Sequence, residues 1–257
     1  DITISEVEMI ASHLPTGKSA GPDRIPNAYW KVFSEQLAPL LTACYNESRI
    51  DGIFPAGFSD GIVAILYKKG GRTDIRNYRP ITLLNGDYKI LTRVLAKRML
   101  TIVSQFVSAE QIGFMPRTFI AEATNTVKMI QAQLDNLIDE DDGGLMFACD
   151  MEKAFDRCSW KFLREGIKKL RFTTGFQQWF DVLYNEDAPP KRKIYANGYL
   201  SREYCVTLGT AQGCPLSPLI FLIITEGSCR LVNDNEDIYD HTGWTIEGIK
   251  IGDTTMH

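Results

Sequence analysis

The chain has 257 residues, 44% hydrophobic and 23% charged; it can bury a substantial core as one large or two small domains and is too apolar for a disordered chain. Its 28 basic against 32 acidic residues give a formal net charge of -4, which argues against a protein that coats nucleic acid through overall charge and leaves room for a local basic face. Its six scattered cysteines, with no C-x-x-C pair, and its three histidines indicate neither a zinc site nor a disulfide framework, so reduced thiols in an intracellular protein are expected.

In chain order, ISEVEMIASHL at 4–14 predicts a short amphipathic helix, with Ser5 and Glu8 as its capping-box pair and Val7, Ile10 and Leu14 on its apolar face. Pro15 stops it. The loop TGKSAGPDRIP precedes a helical stretch from Asn27 to about Arg49.

From Gly61 the pattern becomes β-like. GIVAILYKK, a turn, and GGRTDIRNYRPITLL read as a hairpin-like finger. Positive charge concentrates between Tyr67 and Arg98, in Lys68, Lys69, Arg72, Arg76, Arg79, Lys89, Arg93, Lys97 and Arg98. Helices are predicted over Asp87 to about Phe106, with Ile90, Leu91, Val94, Leu95 and Leu100 as the apolar face, and over Ala121 to Ile138. On the first of these a solvated face accounts for Lys97 or Arg98 about as well as function does.

The acidic turn DEDDGG at 139–144 then introduces a strand, LMFACD, and the main domain boundary is expected there. Downstream, Trp160, Leu163, Ile167 and Leu170 mark a helix and Phe176 to Tyr184 another. IYANGYLSREYCVTLG reads as a hairpin with Asn197-Gly198 near its turn. SPLIFLIITEGSCRL reads as a buried helix. The longest apolar run, Pro218 to Ile224, falls well short of the roughly 20 residues of a membrane span, and no secretory leader is seen. A soluble chain is expected, and its start at Asp1 suggests a piece of a longer polypeptide.

Asp150 would be carried to a strand end through an apolar run, where an ionised carboxylate is costly unless paired or metal-bound. Taken alone, it reads as readily as a surface aspartate capping a helix that starts near Lys153. The neighbouring motifs alter that reading. KSAGPDRIPNAYWK, ILYKKG, NYRPITLLNGDYKILTRVLAKRM, QIGF, the stretch DMEKAFD at 150–156 and AQGCPLSP occur in order along nearly the whole chain. Together they resemble the reverse transcriptase domain of long interspersed elements, the retrotransposons without terminal repeats, and more distantly group II intron maturases.

The resemblance implies an α+β right-hand polymerase, with an N-terminal extension and fingers at 1–140 and a palm at 141–257, an antiparallel sheet packed by helices. It also implies RNA-directed DNA polymerase activity, with RNA template, DNA primer and deoxynucleoside triphosphates as partners, in an intracellular ribonucleoprotein, nuclear or cytoplasmic. Asp150 would hold catalytic Mg²⁺, assisted by the Met151 carbonyl, in a site where two ions serve nucleotidyl transfer. Lys68 and Arg79 would grip the triphosphate, with Lys69 an alternative to Lys68. Ala154 and Phe155 would line the nucleotide, Phe155 excluding a 2′-hydroxyl unless it is simply core. Gln212 and Gly213 would lie beside the nucleotide and template base. Asp156 is expected to be structural, capping the helix of Trp160 or pairing with a base.

The chain departs from the family pattern in places. Arg24 stands where another glycine is common, GFMPRTF lacks a Gly-Arg pair, and no aromatic-led pair of adjacent aspartates follows AQG. Asp141-Asp142 are the only adjacent aspartates. One palm carboxylate cannot hold two ions, so the chain alone is expected not to polymerise, and a thumb is expected to be missing. Two other readings are an inactive reverse-transcriptase-like module kept for RNA binding or scaffolding, and a phosphotransferase with Asp150 as nucleophile. The latter has no phosphate-cradling glycine loop to support it.

Overall fold

The computed structural model describes residues 1–108, 111–135, 148, 150–233, 249–251 and 254–256. Among them are eight α-helices and seven strands: α1 (Ile4–Ser12), α2 (Asn27–Val32), α3 (Ser34–Asp51), β1 (Gly61–Tyr67), β2 (Tyr78–Leu84), α4 (Gly86–Val103), α5 (Ile120–Asp135), α6 (Trp160–Lys169), α7 (Thr174–Leu183), β3 (Lys191–Ala196), β4 (Tyr199–Leu200), β5 (Tyr204–Cys205), α8 (Ser217–Asn233), β6 (Ile249–Ile251) and β7 (Thr254–Met256). The fold is therefore mixed α and β. No described helix is long and apolar enough to cross a membrane.

The chain divides into two compact units, Asp1–Thr101 with Lys153–Phe221, and Ile102–Glu152 with Leu222–His257. The first is built on a five-stranded sheet of order β2-β1-β3-β4, with β5 also paired to β3. The β1/β2 hairpin is antiparallel, from Gly61 opposite Leu84 to Tyr67 opposite Tyr78. β1 and β3 run parallel, with Gly61 opposite Arg192, so this sheet is mixed. One face of the hairpin turns inward at Val63, Thr82 and Leu84, all buried, as period-2 alternation requires. Ile90, Leu91, Val94, Leu95 and Met99 of α4 join the core at helical spacing.

Three expectations need correction. The capping box of α1 is Thr3 with Glu6, two residues earlier than Ser5 with Glu8: Thr3 Oγ1 accepts from the Glu6 amide and Glu6 Oε2 accepts from the Thr3 amide at 2.9 Å. Ile2 and Val7, 2% and 0% exposed, set that phase. The long helix from Asn27 is two helices, broken at Phe33, whose ring lies 5.0 Å from that of Tyr29. Residues 152–157 form turns rather than a helix start at Lys153. The predicted strand LMFACD and the boundary at 139–144 lie outside the described residues, apart from Ala148 and Asp150.

Arg98 is no solvated cation. It donates to both oxygens of Glu6 at 2.7 Å and to the Asp1 carbonyl at 2.6 Å, tying α4 to α1. The Arg98 guanidinium draws the Glu6 carboxyl down to about 2. At 197–198 the positive φ values of both Asn197 (50°) and Gly198 (85°) are those of the two-residue hairpin turn the sequence predicts. Arg24 also has positive φ, 61°, at the position where the family often has glycine.

The second unit contains α5 and the antiparallel pair β6/β7. The buried Glu226 carboxylate accepts from the Ser108 amide at 2.9 Å and from its hydroxyl at 3.1 Å.

Candidate functional site

Within the first unit, three separated motifs meet. The turn carrying Phe155 is fastened to the segment before Gln212 by three hydrogen bonds: Thr210 N to Phe155 O at 2.8 Å, Gly209 N to Cys158 O at 2.8 Å, and Trp160 Nε1 to Gly209 O at 2.7 Å. Gly209 has φ of 83°, and a Cβ on it would stand 2.6 Å from the Asp156 carbonyl oxygen. Gln212 then lies along the free edge of β2, where its carbonyl accepts from Thr82 N at 2.7 Å. Gly213 follows with φ of 128°, and a Cβ there would run into the Thr82 carbonyl. The close approach that its lack of a side chain permits is thus to β2.

Phe155 is half-buried and packs against Phe221 of α8, ring centroids 5.1 Å apart and planes at 30°. The Ala154 carbonyl, one residue earlier, accepts from Cys158 Sγ at 3.2 Å. Asp156 does not cap α6. Ser159 is the cap, its hydroxyl accepting from Phe162 N at 3.3 Å, because the extended Ser159 directly precedes the first helical turn. Asp156 stays more than a third exposed and borders a cleft. The loss of water on that side pushes its carboxyl up, with Lys153 pulling the other way.

The hairpin presents cations on its second face. Arg79 stands opposite Leu66 and Lys68 donates its amide to Asn77 O at 2.8 Å, so Lys68 and Arg79 fall on one face while Val63, Pro80 and Thr82 face the cleft. Both cations are exposed. The tip is braced. Tyr67 Oη donates to Gly70 O at 2.6 Å, Tyr78 Oη to Arg72 O at 2.8 Å, and Asn77 Nδ2 to Gly71 O at 2.8 Å. The Arg72 guanidinium lies 4.9 Å from the centre of the Tyr67 ring.

Asp150 and Met151 belong to the second unit, and both are exposed. No cluster of three or more His, Cys, Asp or Glu gathers among the described residues. A Mg²⁺ pair needs several hard oxygen ligands, and the described residues do not make up such a set.

The cleft bordered by Asp156 and Gln212 has a volume of about 220 Å³ and is lined also by Arg192. Sequence reading missed this arginine. Lys191-Arg192-Lys193 looks like a solvated run, and only strand alternation on β3, burial pattern exposed-buried-exposed over these three residues, signals that the middle cation turns inward.

Residues 67–242 match the family described as reverse transcriptase (RNA-dependent DNA polymerase). The chain belongs to this family. The reverse transcriptase match begins at the last residue of β1 and takes in β2, α4, the Asp150 stretch and the Gln212 loop. The chain's relatives come from retrotransposons without terminal repeats. It is 26% identical over 228 residues to the transposon TX1 149 kDa protein of Xenopus laevis, covering 88% of this chain and 17% of that one. It is 26% identical over 227 residues to the RNA-directed DNA polymerase from mobile element jockey of Drosophila funebris, covering 87% and 24%. It is 22% identical over 234 residues to a Pol polyprotein from a type-1 retrotransposable element R2 of Nasonia vitripennis, covering 91% and 21%. The chain thus spans less than a quarter of the length of these relatives.

Proposed function

We propose that this reverse transcriptase domain serves RNA-templated addition of deoxynucleotides to a DNA primer, with fingers and N-terminal extension in 1–140 and palm in 141–257. The observation that carries the reading is the convergence of the β1/β2 hairpin, the Phe155 turn and the Gln212-Gly213 loop in one unit, held by backbone hydrogen bonds of 2.7–2.8 Å. In such a site positioning and charge neutralisation do most of the work on a transferred nucleotide.

Lys68 and Arg79 are the triphosphate ligands in this reading. Their shared face of the hairpin favours Lys68 over Lys69, and Arg79 offers a forked donor set. Ala154 and Phe155 line the sugar side, where the Phe155 ring, backed by Phe221, leaves no room for a 2′-hydroxyl. Gln212 and Gly213 border the nucleotide and the template base. Asp150 and the Met151 carbonyl are the oxygen ligands offered to Mg²⁺. They fall short of a complete two-ion set, so the roles argued here are those of the side chains alone.

The test is binding of an RNA/DNA primer–template to the chain across a series of salt concentrations. Phosphate contacts by the basic face make affinity fall steeply as salt rises. Affinity independent of salt would sink the reading.

A further inference from the structure

Arg192 is 6% exposed, yet no carboxylate among the described residues pairs with it. Its Nη1 donates to Ser59 O at 2.6 Å and Lys191 O at 2.8 Å. The nearby Asp60 carboxylate instead accepts from the Lys191 amide at 3.1 Å. Of five guanidinium N–H donors, those on Nε and Nη2 find no partner among the described residues. Gly61, opposite Arg192 in the parallel register, makes the room, since a Cβ there would stand 3.2 Å from Arg192 Cδ and 2.8 Å from Thr82 Cγ2. The guanidinium therefore keeps donors free for a ligand that supplies acceptors.

The cleft in front of Arg192 limits what that can be. At about 220 Å³ it exceeds the roughly 150 Å³ apolar cavity that takes up benzene, so it has room for a bicyclic heteroaromatic ring. Trp160, Tyr88 and Tyr204 contribute aromatic wall, and Asp156 and Gln212 contribute polar groups. Tyr204, Arg192 and Asp156 line the same cleft. A carboxylate ligand would satisfy Arg192 but bring a like charge into the cleft beside Asp156. A neutral planar base with an acceptor edge and a donor edge satisfies both.

The geometry points to a guanine-binding cleft: Arg192 takes the O6/N7 acceptor edge in the bidentate manner arginine commonly uses with guanine, and Asp156 takes the N1–H and 2-amino donors. Gln212 places this cleft beside the loop that borders the template in the proposed function, but base recognition itself does not depend on that reading.

Calorimetric titration of the 257-residue chain with guanosine, inosine, adenosine and benzoate tests it. Guanosine is expected to bind at least about ten-fold more tightly than adenosine, with inosine, which lacks the 2-amino donor, in between and benzoate weaker than guanosine. Arg192→Gln is expected to abolish guanosine binding. Should that variant fail to fold, Asp156→Asn, at an exposed position, is expected to bring guanosine down to the affinity of inosine with its melting temperature unchanged. A uridine oligomer carrying one guanosine assigns the base to a strand if it beats all-uridine RNA by the same factor, and to a free nucleoside if it does not. Equal binding of the three nucleosides, preference for benzoate, or no binding of any probe would overturn the inference. Such a result beside intact, salt-sensitive primer–template binding would strike this proposal alone.

Discussion

Gly213 and Thr82 lie backbone to backbone. The φ of 128° at Gly213 and the position of the Thr82 carbonyl leave no room for a Cβ, and the adjacent hydrogen bond from Thr82 N to Gln212 O, 2.7 Å, depends on that closeness. Gly213→Ala is therefore expected to cost about 2–4 kcal/mol, combining a disfavoured backbone region with a displaced strand edge. Gly198→Ala is the control. Its φ is also positive, 85°, but nothing lies within 4 Å of the added carbon, so a loss of about 1 kcal/mol is expected. Urea denaturation of both variants checks the difference, and equal losses would refute the steric account.

The indole of Trp160 makes the second tie between the motifs. Trp160 is 3% exposed and donates Nε1–H to the Gly209 carbonyl at 2.7 Å. Trp160→Phe keeps an aromatic ring but leaves that carbonyl without its donor, an expected loss of about 1–3 kcal/mol plus a contribution from the smaller ring. Because Gly209 abuts Asp156, the same variant should also weaken any ligand of the neighbouring cleft. A stability equal to the parent chain's in thermal and urea unfolding would contradict this.

Much of the fold could be read from residue pattern because it follows local periodicity. GIVAILY, a β-type apolar run, and NYRPITLL, a second extended run, pair as β1 and β2, and the apolar spacing of Ile90, Leu91, Val94 and Leu95 becomes the buried face of α4. Local signals misplaced the first helix cap, since Ser5 is as good a cap chemically as Thr3 and only the burial of Ile2 and Val7 selects between them. Of the site, the Phe155, Gln212 and hairpin motifs could be named from the chain. That Asp156 borders a cleft instead of capping α6, and that Arg192 turns inward, depend on long-range pairings such as Gly61 with Arg192, which no local window contains.

The basic face of the hairpin gives a prediction on ionic strength. Lys68 and Arg79 are both exposed, and no ion pair engages either one among the described residues. Neutralising either one, as Lys68→Gln or Arg79→Gln, is expected to reduce the steepness of log affinity against log salt for primer–template by about one unit. Arg76→Gln is expected to change it less, because its guanidinium is already engaged by Asp74 through contacts of 2.7–3.0 Å. A larger change for Arg76 than for Arg79 would reverse the assignment of the phosphate-facing side.

The start of α4 gives a prediction on pH. Asp87 is partly buried beneath the Gly-Pro-Asp loop, and desolvation, with Asp23 adding like charge, raises its carboxyl to about 6 despite the hydrogen bond accepted from Tyr88 N. A carboxyl raised in the folded state destabilises that state once it must ionise. Below about pH 4 the acid is protonated whether folded or not and contributes nothing. Between about 4 and 6 only the unfolded chain releases the proton, so stability falls, by on the order of 2–3 kcal/mol once both forms are ionised. Glu6 acts in a separate window, its stabilisation present above about 4.5 and lost as the pH falls through about 2. Asp87→Asn keeps an acceptor for Tyr88 N and removes the ionisation. It is expected to match the parent chain in stability near pH 4 and to exceed it at pH 7, as measured by denaturant unfolding at both values; a gain at pH 4 that vanishes at pH 7 would contradict the sign.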